Sequence, residues 1–529
     1  MSMAQIASSA APAPGSAEAA LERRRLFAFG AMVFGMFMSI LDVQVVSASL
    51  AEVQAGLSAS ADEVTWVQTS YLVAEVIGLP LSGFLSSAFS TRYLFVASSA
   101  GFTLASLLCA TSNDINQMIF YRAVQGFVGA GMIPTVFAAA YTVFPPRRRA
   151  VITPIIGLVA TLAPTIGPTI GGFVTDLYSW HWLFLINIAP GVLVTAATWV
   201  LIDFDSPNLK LLKNFDWAGL FSMAAFLGAL EYCLEEGPSK NWFDENIILY
   251  AALISAGGGL IFFWRAFTAT QPIVDLSAFA NRNFSAGSLF SFVMGIGLYG
   301  LTYLYPVYLQ RVRGFSAMQI GETVFVSGLA MFVAAPVVGR LVQRVDPRLI
   351  IGAGFIGFAT SNFLMTPLTK DWDFYQLLLP QIVRGMSMMC CMVAINNVAL
   401  GTMPLLRMKN ASGLFNLTRN LGGAVGLALI NTLMNARLDL HLQRLHDQVA
   451  WGRAAAENAL ASLTMAYAAM GSDAELAATK KLAQMVRREA LVMSIADVFV
   501  ALSIVFVAML LLMPLLRKPA PPPAAAGAH

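Results

Sequence analysis

Long apolar stretches, separated by short polar connections, run along almost the whole chain. Each stretch is long enough, at about 20 residues or more, for a helix to cross the hydrocarbon core of a bilayer. The pattern therefore predicts fourteen membrane-spanning helices, which we number as spans 1 to 14 in chain order. Their predicted positions are residues 26–50, 65–86, 93–112, 115–143, 151–175, 182–203, 216–234, 246–268, 284–309, 319–340, 349–367, 374–403, 411–435 and 491–515.

The composition agrees with an all-α polytopic membrane protein. Of the 529 residues, 57% are hydrophobic and only 12% are charged, against about 25% charged residues in soluble domains. The net charge of +3 gives no reason to expect a nucleic acid partner. The four cysteines lie in apolar stretches without metal-ligand spacing, so we predict no metal site. Since the chain also has no phosphate-binding loop, zinc-binding pair or nucleophile elbow, we predict no cofactor and no enzymatic activity.

Basic residues indicate how the chain is oriented. Lysine and arginine are enriched in the cytoplasmic connections of membrane proteins. Here the basic clusters either precede span 1 or follow an even-numbered span, so all of them lie on the same side of the membrane. The clusters are at residues 23–25, 147–149, 340–348, 407–409 and 517–518. The connection between spans 1 and 2 has acids and no base. Both termini are therefore predicted to be cytoplasmic.

Two acids, Asp42 and Glu75, lie inside apolar spans 1 and 2. A charge at membrane depth costs about 2.5–3.5 kcal/mol even on mild insertion scales. Such a residue is expected to have a buried partner or to carry a proton. From the helical rise, both acids lie near the middle of the membrane, at depths similar to those of Arg122 in span 4 and Arg384 in span 12.

Several sequence motifs are typical of one transporter family. Span 5 contains the motif GPTIGG at residues 167–172, with Pro164 just upstream. Its small residues and prolines, which are Pro164, Gly167, Pro168, Gly171 and Gly172, favour close, kinked helix packing. LDVQVVSASLA in span 1 and FYRAVQGFVGAG in span 4 carry Asp42 and Arg122. On these motifs the chain resembles the major facilitator superfamily, and in particular its fourteen-span drug/proton antiporters such as the Emr-type multidrug permeases.

The resemblance implies the organisation of the chain. It implies two six-helix halves at residues 26–203 and 284–515, with two extra spans at 204–283 between them. Residues 1–25 and 516–529 are predicted to be disordered cytoplasmic tails. The resemblance also implies a bacterial inner membrane location and an Asp42–Arg122 pair, since spans 1 and 4 are neighbours in the family fold.

The gate motif between spans 2 and 3 departs from the family pattern. Gly83 and Arg92 are present in GFLSSAFSTRY, but Ser87 stands where the family has an acid. The second copy, GRLVQRVDPR, keeps Gly339 and Arg344 and has Gln343 at the acidic position. The charge relay that closes the cytoplasmic gate in the family is therefore in doubt here.

The candidate site residues follow from these observations. Asp42, Glu75 and Arg122 are predicted to couple transport to protons, with a permanent structural Asp42–Arg122 pair as the alternative. The predicted substrate-binding residues are Glu75, Arg384, Met388, Asn396 and Asn397. Glu75 has no counterpart in the family pattern, so it is either a specific site or a satisfied buried acid. Glu231 is expected to be solvated at the rim of span 7, and Arg419 to be structural.

Residues 436–490 form the longest connection and are predicted to be helical. The spacing of Leu438, Leu442, Leu445 and Val449 gives one apolar face, so the segment is either a docking surface or a simple insertion. The resemblance implies a proton-driven exporter of hydrophobic or amphipathic toxic compounds. It further implies a periplasmic adaptor and a TolC-like outer-membrane channel as partners. Two alternatives stay open: an exporter of one lipid or metabolite, and a sensor or scaffold that does not transport.

Overall fold

The computed structural model describes residues 14–449 and 453–517, and most of these residues are helical. The spans have these bounds: span 1 Pro14–Ala48, span 2 Ala61–Phe89, span 3 Thr91–Ala110, span 4 Ile115–Gly129 and Met132–Val143, span 5 Pro146–Leu177, span 6 Trp182–Leu185 and Ile188–Leu201, span 7 Trp217–Glu236, span 8 Asn246–Thr268, span 9 Arg282–Arg311, span 10 Ala317–Arg344, span 11 Pro347–Leu364, span 12 Phe374–Ala399, span 13 Met408–Gln448 and span 14 Ala474–Leu511. Two further α-helices are Leu50–Gly56 and Ala454–Ala466.

Thirteen of the described helices are long and apolar enough to cross a membrane, which is one fewer than the sequence predicts. The missing one is span 11. A helix does occur there, but it is only 18 residues long, and Arg348 and Asn362 reduce its apolar character. Span 11 packs against spans 12 and 14, so it occupies the predicted place in the second half.

The beginning of the chain differs from the prediction of a disordered tail at residues 1–25. Residues 1–13 lie outside the described part, but span 1 begins at Pro14. Alanine, glutamate, leucine and arginine favour helix in this segment. Two contacts fix it to the first half, since Glu22 pairs with Arg148 at 2.8 Å and Arg24 donates to the carbonyl of Val200 at 3.0 Å.

The two halves repeat the same helix neighbours, as the predicted fold class requires. Span 1 packs on span 5, span 2 on span 4, and span 3 on spans 4 and 6. Eight spans later, span 9 packs on span 13, span 10 on span 12, and span 11 on spans 12 and 14. The halves meet where span 5 contacts span 10 and span 2 contacts span 13. The contact between the two halves is therefore made by spans 2, 5, 10 and 13.

The two extra spans lie beside this seam. Spans 7 and 8 form a close pair, because Gly258 lets their backbones approach; a Cβ there would lie 2.7 Å from the amide nitrogen of Phe226. Span 7 also packs against span 2 and span 13, one from each half. This position brings one face of span 7 to the space between the halves.

Residues 436–490 are mostly helical where they are described. Span 13 continues to Gln448, a helix covers Ala454–Ala466, and the helix of span 14 begins at Ala474. The predicted apolar face of Leu438, Leu442, Leu445 and Val449 is half-buried, since spans 13 and 14 pack on each other. It is therefore not a free surface.

Candidate substrate cavity and charge network

Asp42 and Arg122 form an ion pair in the core of the first half. The Nη1 atom of Arg122 lies 2.6 Å from Oδ2 of Asp42, and both side chains are fully buried. Asp42 also accepts hydrogen bonds from Asn187 at 2.7 Å and Gln125 at 3.3 Å. Its carboxylate is therefore held by three donors from spans 4 and 6.

Local helix packing positions Arg122 for this pair. Gly126, one turn later in span 4, brings its backbone against the carbonyl of Tyr71 in span 2. Arg122 then lies 4.3 Å from the ring centroid of Tyr71, and its Nε donates to the carbonyl of Val67 at 3.1 Å. The guanidinium is consequently enclosed by span 2 on one side and by Asp42 on the other.

A cavity of 470 Å³ lies between the two halves. It reaches the exposed residues Ala51 and Gln310 at the ends of spans 1 and 9. We call the opposite membrane face the terminal face, because Arg282 there donates to the carbonyl of Leu515 near the chain end. The cavity thus opens away from the terminal face.

Glu75 lines this cavity, whereas Asp42 does not. The Glu75 side chain is buried, with 6% exposure. Within the described residues, neither a hydrogen bond nor an ion pair holds its carboxylate. The two acids that look equivalent in the sequence are therefore different in the structure: Asp42 is held in a hydrogen-bond network, whereas the Glu75 carboxylate has no such partner among the described residues.

Two more acids line the cavity, and one of them contradicts the sequence-based expectation. Glu231 was expected to be solvated at the rim, but it is only 6% exposed. Glu231 and the half-buried Glu235, one turn apart on span 7, both face the cavity. The reason is the position of span 7 at the seam, which turns this face toward the protein interior instead of toward water.

The structure does not bring the other predicted substrate-binding residues to this cavity. Arg384 is buried against span 10, where it donates to Oγ of Ser327 at 2.7 Å. Asn397 donates to the carbonyl of Val393 in its own helix at 2.9 Å. Met388 and Asn396 are also buried, and none of the four lines the cavity. Arg384 lies at a depth similar to that of Glu75, but the rotation of span 12 directs its side chain to span 10.

The terminal face is closed by a charge pair that the sequence analysis missed. Lys409, at the start of span 13, contacts Asp205, which follows span 6, and also donates to the carbonyl of Ser86 at 2.7 Å. Asp205 in turn accepts from the backbone nitrogen of Thr91 at 3.0 Å. An acid from another connection therefore occupies the region where Ser87 has replaced the motif acid.

The predicted gate residues lie around this pair. Gly83 packs on span 13, where a Cβ would lie 2.8 Å from Cα of Asn410, and Arg92 donates to the carbonyl of Ile202 at 2.6 Å. In the second copy, Gly339 is buried and Arg344 is exposed at the end of span 10. The first copy thus contributes to the contact between the halves.

The glycines and prolines of span 5 hold it close to span 1. Gly167 packs on Gln44, and a Cβ at Gly171 would lie 2.7 Å from the carbonyl oxygen of Val45. Pro164 and Pro168 lie inside the helix, and Gly172 is buried. Pro168 lines the cavity, so the segment joins close helix packing to the cavity wall.

The amino-acid sequence is matched by a family model over most of its length. The model described as Major Facilitator Superfamily covers residues 32–427 of the chain. The chain belongs to the Major Facilitator Superfamily. Its members with solved structures include the human organic anion transporter TETRAN, which has a TM-score of 0.55 at 12% identity and matches 91% of this chain and 99% of that one. A bacterial homolog of the lysosomal transporter Spinster, in an inward-facing and unoccupied conformation, has a TM-score of 0.53 at 15% identity, covering 95% of this chain and 99% of that one.

Relatives in sequence are named as resistance and export proteins. The colistin resistance protein EmrB of Acinetobacter baumannii is 40% identical over 90% of this chain and 93% of its own length. The multidrug export protein EmrB of Escherichia coli is 28% identical over 79% of this chain and 82% of its own length. The fatty acid resistance protein FarB of Neisseria gonorrhoeae is 28% identical over 78% of this chain and 82% of its own length. This superfamily member is therefore a multi-span membrane transporter.

Proposed function

We propose that this transporter is a proton-coupled exporter of hydrophobic or amphipathic toxic compounds. Glu75 is the observation that carries the proposal, since it is a buried carboxylate at the cavity without a bonded partner among the described residues. A buried charge without a partner is costly. A proton removes that cost, and so does a cationic group of the substrate.

Proton and substrate replace each other at Glu75, and this exchange couples proton entry to substrate export. In the state with the cavity open, a proton binds to Glu75 and the substrate leaves. Neutral Glu75 then allows the cavity to close while the halves rock to the opposite state. There the proton is released to the terminal side, and a new substrate binds.

The closed contacts at the terminal face support this cycle. Asn396 is fully buried there, and neither polar atom of its side-chain amide has a hydrogen-bond partner among the described residues. A buried unpaired amide is unfavourable. Asn396 therefore fits a place in the substrate path of the opposite state, in which the halves separate at the terminal face.

The names of the relatives support export, and they also raise the second candidate. Colistin resistance and multidrug export both agree with a toxic substrate. FarB is named for fatty acid resistance, so export of one lipid is the alternative. The described residues that line the cavity include three glutamates and no lysine or arginine. This charge disfavours a carboxylate-bearing lipid, so we favour toxic compounds without an anionic group.

Location and partners are part of the same proposal. We place the terminal face in the cytoplasm of a bacterium, with the transporter in the inner membrane, because the basic clusters lie on that side. The 436–490 segment then lies in the periplasm. Its exposed apolar side chains Met465 and Leu476, each 73% exposed, are our proposed contact for an adaptor that leads to a TolC-like outer-membrane channel.

The adaptor contact can be tested by substitution on the two faces. Met465→Glu with Leu476→Glu should reduce the capture of a co-expressed Emr-type periplasmic adaptor about tenfold, since two apolar contacts are lost. Leu406→Glu is the matched control, because Leu406 is 98% exposed next to the gate at the terminal face. Equal capture by both variants would contradict the proposed contact.

Glu75→Gln tests the proposed function directly. In proteoliposomes with an imposed pH gradient, wild-type protein should export ethidium and move protons in the opposite direction. Glu75→Gln should stop proton-driven export, because a neutral amide cannot exchange a proton for substrate. Glu63→Gln is the matched control on the same helix, where Glu63 is exposed and caps the helix start. Normal export by Glu75→Gln would refute the role of Glu75, and an inactive wild type would favour a sensor or scaffold.

A further inference from the structure

The extra span 7 contributes chemistry to the central cavity as well as packing. Glu231 and Glu235 are four residues apart, so they lie on the same face of the helix, and both line the cavity together with Glu75. Glu75 comes from span 2 in the first half. The cavity therefore has carboxylates from two different elements on its wall.

Glu231 is unpaired although it is buried. Its side chain has 6% exposure, and its Oε2 atom has no hydrogen-bond partner in the described part of the chain. The described lining contains no lysine or arginine that would neutralise it. A carboxylate in this position lacks the partner that buried acids normally have.

The neighbouring Glu236 shows what a structural acid looks like on this helix. Glu236 is also buried, with 7% exposure, but it accepts a hydrogen bond from Thr69 at 3.3 Å and does not line the cavity. A structural role explains Glu236. It does not explain Glu231, which lines the cavity and has a buried oxygen without a hydrogen-bond partner among the described residues.

The rest of the cavity wall suits an organic cation. Tyr299 and Tyr303 line it from span 9, and their hydroxyls donate to Asn420 at 3.2 Å and Asn431 at 2.7 Å. These bonds hold the two rings in place, and aromatic faces attract cations. The remaining lining is largely apolar. An amphipathic cation would therefore find both its charge and its apolar part accommodated.

We propose that Glu231 and Glu235 of span 7 form a second anionic subsite, so that the transporter binds amphipathic dications more tightly than monocations. One charge of a dication pairs with Glu75, and the other pairs with the span 7 subsite. This inference rests on the proposed function, because it specifies the substrates of the same cavity. It also assigns a binding role to one of the two extra spans.

Equilibrium binding to the full-length purified protein in detergent tests this directly. Ethidium is a monocation, and propidium is a dication with the same ring system, so they form a matched pair of fluorescent probes. Wild-type protein should bind propidium about tenfold more tightly than ethidium, which is the effect of one further ion pair in a partly hydrated site. The anionic probe anilinonaphthalene sulfonate should bind more weakly than either.

Substitutions locate the second charge. In Glu231→Gln/Glu235→Gln the preference for propidium should fall to about onefold, since only Glu75 remains. Ethidium binding should change by less than about threefold. Glu236→Gln is the control on the same helix and should keep the full preference. A neutral probe, phenylnaphthylamine, should bind equally to all variants, which verifies that the cavity has formed.

The possible results separate the two proposals. If wild-type protein binds ethidium, propidium and the anionic probe equally, the inference is wrong, whatever the variants do. A propidium preference that survives the double substitution also overturns it. Binding with the expected preference but without proton-driven export would refute the proposed function and leave the subsite in place.

Discussion

The buried Asp42–Arg122 pair allows a quantitative prediction about stability. We consider the replacement Arg122→Met, which removes the charge while keeping a long apolar side chain. Asp42 would keep its bonds from Asn187 and Gln125 but would lose its counter-ion. Both side chains are fully buried at present, so water does not replace the lost partner.

Removing one member of a buried pair costs about 3–5 kcal/mol, because the other charge stays buried. Removing both charges costs less, so Asp42→Asn/Arg122→Met should be more stable than Arg122→Met alone. The expected coupling energy is about 2 kcal/mol. Arg148 and Glu22 form an ion pair with a similar N–O distance, 2.8 Å, but their side chains are 41% and 47% exposed. Arg148→Gln is therefore the control and should cost at most about 1 kcal/mol.

The free energy of unfolding can be measured for the four members of this cycle by detergent titration, with tryptophan fluorescence as the signal. Thermal midpoints in mild detergent provide a second readout. If Arg122→Met is no more destabilising than Arg148→Gln, the pair does not carry a buried charge. If the double variant loses the sum of the single losses, the two residues do not act as a pair. Either result would refute the reasoning that Asp42 and Arg122 stabilise the fold as a buried ion pair.

Two further predictions concern the packing of span 5 and the gate. Gly171→Val should lower the thermal midpoint and the export rate, because a Cβ there would lie 2.7 Å from a backbone carbonyl that cannot move away easily. Gly30→Ala is the control and should change neither quantity, since nothing lies within 4 Å of the added Cβ. Equal effects of the two substitutions would contradict the packing argument. Lys409→Gln should increase hydrogen–deuterium exchange at the ends of spans 2 and 13 that lie at the terminal face, because the contact with Asp205 is lost. Unchanged exchange at these ends would show that the Lys409–Asp205 pair does not hold the gate closed.

Much of the fold is determined by the sequence alone. A bilayer requires long apolar helices, so the apolar stretches locate the spans. The helices of spans 1, 13 and 14 extend more than ten residues beyond the apolar stretch at one end, because polar residues can continue a helix outside the membrane. Span 11 is the case in which this criterion is weakest, since Arg348 and Asn362 lie in a short helix. Asp42 and Arg122 are also visible in the sequence, because a charge in an apolar stretch needs an explanation. Their predicted contact is present in the structure.

The tertiary structure decided which polar residues share a cavity. Depth along a helix follows from residue number, but the direction of a side chain depends on how each helix is rotated against its neighbours. For that reason Arg384 turns toward Ser327, while Glu231 turns inward from a position that looks solvated in the sequence. Lys409 and Asp205 meet only because the two halves close on each other. The sequence thus determined the spans and the buried charges, and the packing of the helices determined which of these charges have a bonded partner and which line the cavity without one.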